Sequence, residues 1–243
     1  MRQQWADYRV FWREFRRAFH STGAVLPSGR ALAKNLCRYV RQPDAAAVDG
    51  EPPGLSRRDK PAGSRGFDTD SGPTAGRRIL EVGPGTGAVT GHIIQDLRPD
   101  DRLVLVERNE QFVARLRARL ANEPGFHRAI GRVTLMHASV EDMAEEPPFD
   151  LIISGLPFNN FSTELVEQVL AKLTRLLAPG GTLSFFEYVA VRRAKSLVSS
   201  GKERERLRGI GRVLSATLQA HEVNRDLVMA NVPPAWVHHV RFA

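Results

Sequence analysis

The segment Ile79-Leu80-Glu81-Val82-Gly83-Pro84-Gly85-Thr86-Gly87-Ala88 constrains the fold of this 243-residue chain more than any other. An apolar run enters a glycine-rich turn and a helical pattern leaves it, which is how an α/β unit begins. Glycine is required where the backbone turns tightly and approaches a ligand that a Cβ would block. Free N–H groups at the following helix start favour an anionic group of that ligand. Taken formally, Gly83, Gly85 and Ala88 also fit the dinucleotide fingerprint, whose last position is Gly or Ala. Three features narrow the reading: Glu81 inside the strand end, the tight Gly83-x-Gly85-x-Gly87 spacing, and a second acid. Glu107 closes Leu103-Val104-Leu105-Val106-Glu107, twenty residues beyond Gly87, where a strand-end carboxylate accepts hydrogen bonds from ribose hydroxyls.

From Arg77 onward, short apolar runs alternate with helical stretches. Ile79–Gly83, Leu103–Glu107, Val133–His137, Leu151–Ser154 and Thr182–Tyr188 read as buried strands, with helices at about 86–97, 110–121, 141–146 and 162–177. His221–Met229 and Trp236–Phe242 flank Asn231-Val232-Pro233-Pro234 and read as an antiparallel pair; the stretch between Tyr188 and His221 receives no assignment. The expected fold is α/β: a Rossmann-like, seven-stranded, mostly parallel sheet with a C-terminal antiparallel hairpin, preceded by N-terminal amphipathic helices. Three regions follow: basic helices at 1–41, a linker or loop rich in Pro, Gly, Asp and Ser at 42–76, and the α/β domain at 77–243.

Charge is concentrated in the first region. Of a net charge of +8, residues 1–41 carry nine Arg and Lys against Asp7 and Glu14. Trp5, Tyr8, Trp12, Phe15 and Phe19 recur at spacings of three and four, so one helical face is aromatic while Arg2, Arg9, Arg13, Arg16 and Arg17 occupy mainly the rest. An aromatic face beside a basic face suits a bilayer interface, or the helix packs its stripe on the domain as a lid. Ser28 reads as the N-cap of a second helix running to about Arg41. No run of about 18 apolar residues spans a bilayer, and no secretory signal is visible at the N-terminus. The single cysteine, Cys37, excludes an intramolecular disulfide and a multi-thiolate metal site. A cytoplasmic protein without a metal is expected.

Glu81-Val82-Gly83-Pro84-Gly85-Thr86-Gly87 followed by an acidic second strand end resembles the S-adenosylmethionine site of class I methyltransferases. The resemblance implies Glu81 near the amino group and the backbone of Gly83–Gly87 around the methionine part. It further implies Glu107 and Arg108 at the ribose, with Ala138, Ser139 and Val140 along the adenine. Relatives often carry an acid where Ser139 stands; Glu141 and Asp142 follow it and can substitute. Ser154-Gly155-Leu156-Pro157-Phe158 would lie beside the transferable methyl. Base-amine methyltransferases place Asn-Pro-Pro-Tyr or Asn-Leu-Pro-Tyr there; this chain keeps the Pro and lacks the Asn. Together with Thr22-Gly23-Ala24-Val25-Leu26-Pro27-Ser28-Gly29-Arg30, these residues resemble the bacterial phospholipid N-methyltransferases, relatives of the ribosomal RNA adenine dimethyltransferases.

What this implies is stepwise methylation of phosphatidylethanolamine to phosphatidylcholine, leaving S-adenosylhomocysteine, by a protein peripheral on the inner face of the cytoplasmic membrane. The runner-up is methylation of an RNA adenine, against which stand Gly155 for Asn and Phe158 for Tyr. Tyr188 and Glu187, ending the fifth strand, and Tyr8 and Tyr39 on the N-terminal helices are candidates to accept or orient the amine proton. Arg30 and Lys34 are candidates for the lipid phosphate. Pro157, Phe158 and Phe161 are candidate walls for the head group.

Overall fold

The computed structural model describes residues 27–41, 76–189, 201–231 and 234–242. The expected helix bearing Tyr8, the segment 42–75 and the hairpin residues Val232 and Pro233 lie outside the described residues. The Val-, Ile- and Leu-rich runs form seven strands: β1 (Arg78–Val82), β2 (Arg102–Glu107), β3 (Val133–His137), β4 (Phe149–Ser154), β5 (Leu177–Tyr188), β6 (Glu222–Val228) and β7 (Ala235–Arg241). Their order is β3-β2-β1-β4-β5-β7-β6. The first five pair in parallel, and β7 runs antiparallel to β5 and β6. This is the α/β sheet expected from the sequence, with its C-terminal antiparallel pair.

Helices cover both faces: α1 (Pro27–Leu36), α2 (Arg38–Arg41), α3 (Ala88–Asp96), α4 (Glu110–Asn122), α5 (Pro124–His127), α6 (Thr163–Leu176) and α7 (Gly201–His221). Strand side chains alternate between the faces. Leu80, Ile152, Leu183 and Phe185 pack with Val166, Val169 and Leu173 of α6 and Ile210 and Leu214 of α7. Ile79, Leu103, Leu151 and Phe186 pack with Leu36, Cys37, Ile93 and Phe126 on the other side. A sheet buried on both faces explains why β1 and β4 read as continuous apolar runs. Asn109 caps α4, its side chain accepting from the N–H groups of Gln111 and Phe112, and Ser162 caps α6 through Leu165 N–H.

Three expectations are corrected. The first described helix begins at Pro27, so Ser28 lies inside its first turn. Residues 141–146 hold only a 3-10 turn, Val140–Asp142, because Pro147 and Pro148 disfavour helical backbone before them and β4 starts at Phe149. The unassigned stretch contains α7, the longest helix described. Its core positions Leu207, Ile210 and Leu214 keep helical spacing, but Gly201, Gly209, Gly211 and a dense run of charges dilute the pattern.

Residues 27–41 pack as part of the domain. Arg38 makes two hydrogen bonds to the Asp226 carboxylate. His239 faces Asp226 at 3.4 Å without a hydrogen bond, and its other ring nitrogen shares a 2.8 Å bond with Ser184 Oγ. Arg77 donates to the carbonyls of Tyr39 and Val40 and to Asp101, whose carboxylate also accepts the backbone N–H groups of Arg77 and Arg98. Among the described residues, no helix is long and apolar enough to cross a membrane.

Candidate cofactor and acceptor site

The C-terminal ends of β1, β2 and β4 converge, and the loops leaving them form the site. Gly83, Gly85 and Gly87 all have positive φ (69°, 57° and 83°), a region closed to most side chains. Gly83 N–H donates to Val106 O and Gly87 N–H to Pro84 O, which folds the turn onto β2. Arg119 of α4 fastens it from outside, donating to Thr86 O at 2.6 Å with its guanidinium over the Phe126 ring. The acceptor loop after β4 lies against the same turn: Gly155 N–H donates to Val82 O at 2.8 Å. A Cβ at residue 155 would stand 2.7 Å from Gly83 O, so no side chain fits there.

Two carboxylates lie beneath the turn, each 1% exposed. Glu81 accepts the Thr90 hydroxyl at 2.7 Å. Burial pushes its carboxyl up to about 8, against the pull of the Thr90 hydrogen bond and with the Glu107 charge adding to the rise. Glu107 accepts Asn109 N–H at 2.7 Å and Gly85 N–H at 3.1 Å. Burial raises it too, opposed by the backbone N–H groups of Asn109, Gly85 and Arg108. The groups acting on Glu81 carry no positive charge. A buried acid such as Glu81, with no positive group acting on it among the described residues, is costly to ionise, and a cationic ligand lowers that cost.

A cavity opens beside them, lined by Val82, Gly83, Val106, Glu107, Arg108, Ala138, Ser139, Val140 and Leu156. Most of the residues expected at the ribose and adenine are brought together here. Ser139 donates to the Glu141 carboxylate, setting that acid beside the cavity wall; Asp142 is exposed. Val82 and Val106 add apolar walls that the motif reading passed over, since strand-end valines look like core. Pro84, Gly85, Thr86 and Gly87 form the turn itself, and Ser154 is fully buried, accepting Leu156 N–H.

The expected acceptor-side residues separate. Pro157, Phe158 and Phe161 are buried; the two rings stack edge-on with each other, and Phe158 with Phe185. They support the acceptor loop from beneath and do not wall an open pocket. Tyr39 sits in the core with its ring 4.9 Å from His239 and under Arg241, at the opposite end of the sheet from the glycine turn. Tyr188 ends β5 at the same end of the sheet as the glycine turn, and burial raises its phenol. Glu187 is buried on the face opposite Phe186. Arg30 and Lys34 are exposed on α1, close enough to α3 to act electrostatically on His92. The residue missed is Asn159. It is 4% exposed in the acceptor loop, and its side-chain carbonyl has no partner among the described residues. Arg206 of α7 holds this loop through the carbonyls of Asn159 and Phe161. Nothing in the sequence marks Asn159, because its isolation comes from packing.

Strand order and site together define the class I methyltransferase fold, whose cofactor is S-adenosylmethionine. Residues 79–181 match the family model described as a methyltransferase domain. An ornithine lipid N-methyltransferase of Singulisphaera acidiphila is 33% identical over 108 residues, 44% of this chain and 56% of that protein. A ribosomal RNA small subunit methyltransferase A of Synechocystis is 27% identical over 105 residues, 42% of this chain and 36% of that protein. This chain therefore spans just over half and about a third of these two relatives. An O-methyltransferase from Bacillus cereus in complex with SAH superposes with a TM-score of 0.53 at 17% identity, over 86% of this chain and 91% of that one, and shows the fold. Among the described residues, no group of three or more His, Cys, Asp or Glu could hold a metal.

Proposed function

We propose that this chain transfers methyl groups from S-adenosylmethionine to the amine of a membrane aminolipid, phosphatidylethanolamine and its methylated forms, giving phosphatidylcholine. The observation that carries the reading is the acceptor loop. A side chain at residue 155 would crowd Gly83 O, and the loop instead carries the buried carbonyl of Asn159, unpartnered among the described residues. Such a carbonyl would accept an N–H of the primary and monomethyl amines and leave the nitrogen lone pair free. The similarity to a protein named ornithine lipid N-methyltransferase, another lipid amine, supports this choice of acceptor.

S-adenosylmethionine supplies an electrophilic methyl on a sulfonium sulfur. The ammonium head group first gives up one proton; the neutral amine would then attack, forming the N–C bond as the C–S bond breaks and its electron pair stays on sulfur. Glu81 and Glu107 hold the positive end and the ribose of the donor, with Arg108, Ala138, Ser139 and Val140 along the adenosine. The glycine turn takes the carboxylate through its N–H groups. Gly155 and Leu156 keep the acceptor loop against the turn, so donor and amine meet in line; such alignment lowers a barrier by about 7–11 kcal/mol. Glu187 would take the departing proton, and Tyr188 would orient the head group. Arg30 and Lys34 supply cations for the lipid phosphate. We place the protein peripherally on the cytoplasmic membrane, with residues 1–26 as a further contact.

A second reading, methylation of an RNA adenine, draws on the similarity to the ribosomal RNA methyltransferase. Radiolabelled methyl transfer, offering phosphatidylethanolamine vesicles and ribosomal RNA side by side, separates the two. Label in the lipid is the expected result; label only in RNA reverses the acceptor.

A further inference from the structure

The outer corner of the sheet is apolar where a soluble domain would be polar. Along edge strand β6 the exposed positions are Val223, Arg225 and Leu227, at 41% and 44% for the two apolar ones, and Met229 just beyond is 67% exposed. Val189, past the end of β5, is 40% exposed, and its N–H bonds Pro234 O. Register sets their height: Leu227 pairs with Trp236, and both Val228 and Tyr188 pair with Ala235. Leu227, Met229, Trp236 and Val189 therefore stand at the end of the sheet from which the site loops emerge. Arg225 lies over the half-buried Trp236 ring, a cation on an aromatic base.

A basic surface lies at the same end of the fold. The start of α7 is tied to the acceptor loop by Arg206, and its exposed positions Lys202, Arg204, Arg208 and Arg212 outnumber the exposed Glu205. Apolar side chains of this size beside stacked Trp and clustered cations match a bilayer interface, where the chains enter the acyl boundary and the cations meet anionic head groups. Nucleic acid would use the cations and leave Leu227 and Met229 without purpose.

We propose that this corner, formed by Val189, Leu227, Met229 and Trp236 with the first turns of α7, docks on an anionic bilayer and presents the methyl-transfer edge to it. The inference rests on the lipid reading above. Docking here would bring the acceptor loop within reach of a head group that stays in its membrane.

The test uses the full chain, vesicles of phosphatidylethanolamine with and without phosphatidylglycerol, and a short-chain aminolipid kept below its micellar concentration. Leu227→Asp with Met229→Asp is expected to weaken flotation with the mixed vesicles about tenfold or more, as is Arg204→Glu with Arg208→Glu. Turnover on vesicles should fall in step while turnover on the soluble aminolipid stays at the wild-type rate. Wild-type flotation by both variants would overturn the docking face. So would an Arg204/Arg208 variant that loses RNA binding with vesicle binding intact. If wild-type protein methylates neither lipid form, the lipid reading fails, while the flotation comparison still decides the docking face.

Discussion

Glu81 is the residue whose chemistry is most exposed to measurement. Its carboxyl, ordinarily ionised at neutral pH, is held up to about 8 by burial. An acid raised on folding binds a proton the unfolded chain releases, so its contribution to stability falls as pH rises from the ordinary carboxylate value towards about 8. A cationic ligand reverses this by favouring the ionised form. S-adenosylmethionine binding at pH 7 should therefore release a proton, and affinity should rise with pH up to about 8. Calorimetry in buffers of different ionisation enthalpy reads this release directly; Glu81→Gln should abolish it and flatten the pH dependence. Asn159→Ala should leave cofactor affinity unchanged and lower lipid turnover by about tenfold to a hundredfold, the worth of one hydrogen bond to a charged or reacting group. Its thermal unfolding should stay put or rise, because an unpartnered buried carbonyl is removed; a fall in both would mark Asn159 as merely structural. The glycines, Glu81 and Glu107 were legible because ligand chemistry dictates those residue types at fixed spacing. Thr90, Val82 and Asn159 were not, since each gains its role from a neighbour distant in sequence.

At the scale of elements, the polar joint beneath the N-terminal helices controls whether they stay docked. Burial alone would raise Asp101, but the Arg77 side chain and the backbone N–H groups of Arg98 and Arg77 outweigh it and hold the acid low. Its stabilising share is present above the ordinary carboxylate range and disappears as pH falls through the lowered value. Breaking such a buried pair costs about 3–5 kcal/mol. Asp101→Asn should lower the denaturation midpoint accordingly, and hydrogen exchange should speed up in residues 38–41, where Arg77 holds the carbonyls of Tyr39 and Val40. Unchanged exchange there would show that α2 is held by apolar packing alone. The strands were readable because a doubly buried sheet demands continuous apolar runs. Helix α7 was not, because its core stripe is thin and its surface is crowded with charge. Tyr39 reads from sequence as an accessible hydroxyl near substrate; the chain instead turns it into the core against His239.

For the molecule as a whole, the fold orients one edge towards chemistry. Glycine turn, acceptor loop, apolar corner and the start of α7 share one end of the sheet, while the Tyr39 joint lies at the far end. Sequence alone located the charge in residues 1–41 and could not reveal the second basic and apolar surface, which assembles from β5, β6, β7 and α7. The central claim is that this edge methylates a lipid amine. It is tested most directly by mass spectrometry of lipids from a bacterial host lacking methylated aminolipids, expressing either this chain or its Gly155→Ala variant. The account predicts new phosphatidylethanolamine species in successive one-CH₂ mass steps with the wild type and none with the variant, whose added Cβ pushes the acceptor loop off Gly83. An unchanged lipid profile beside newly methylated RNA would contradict it.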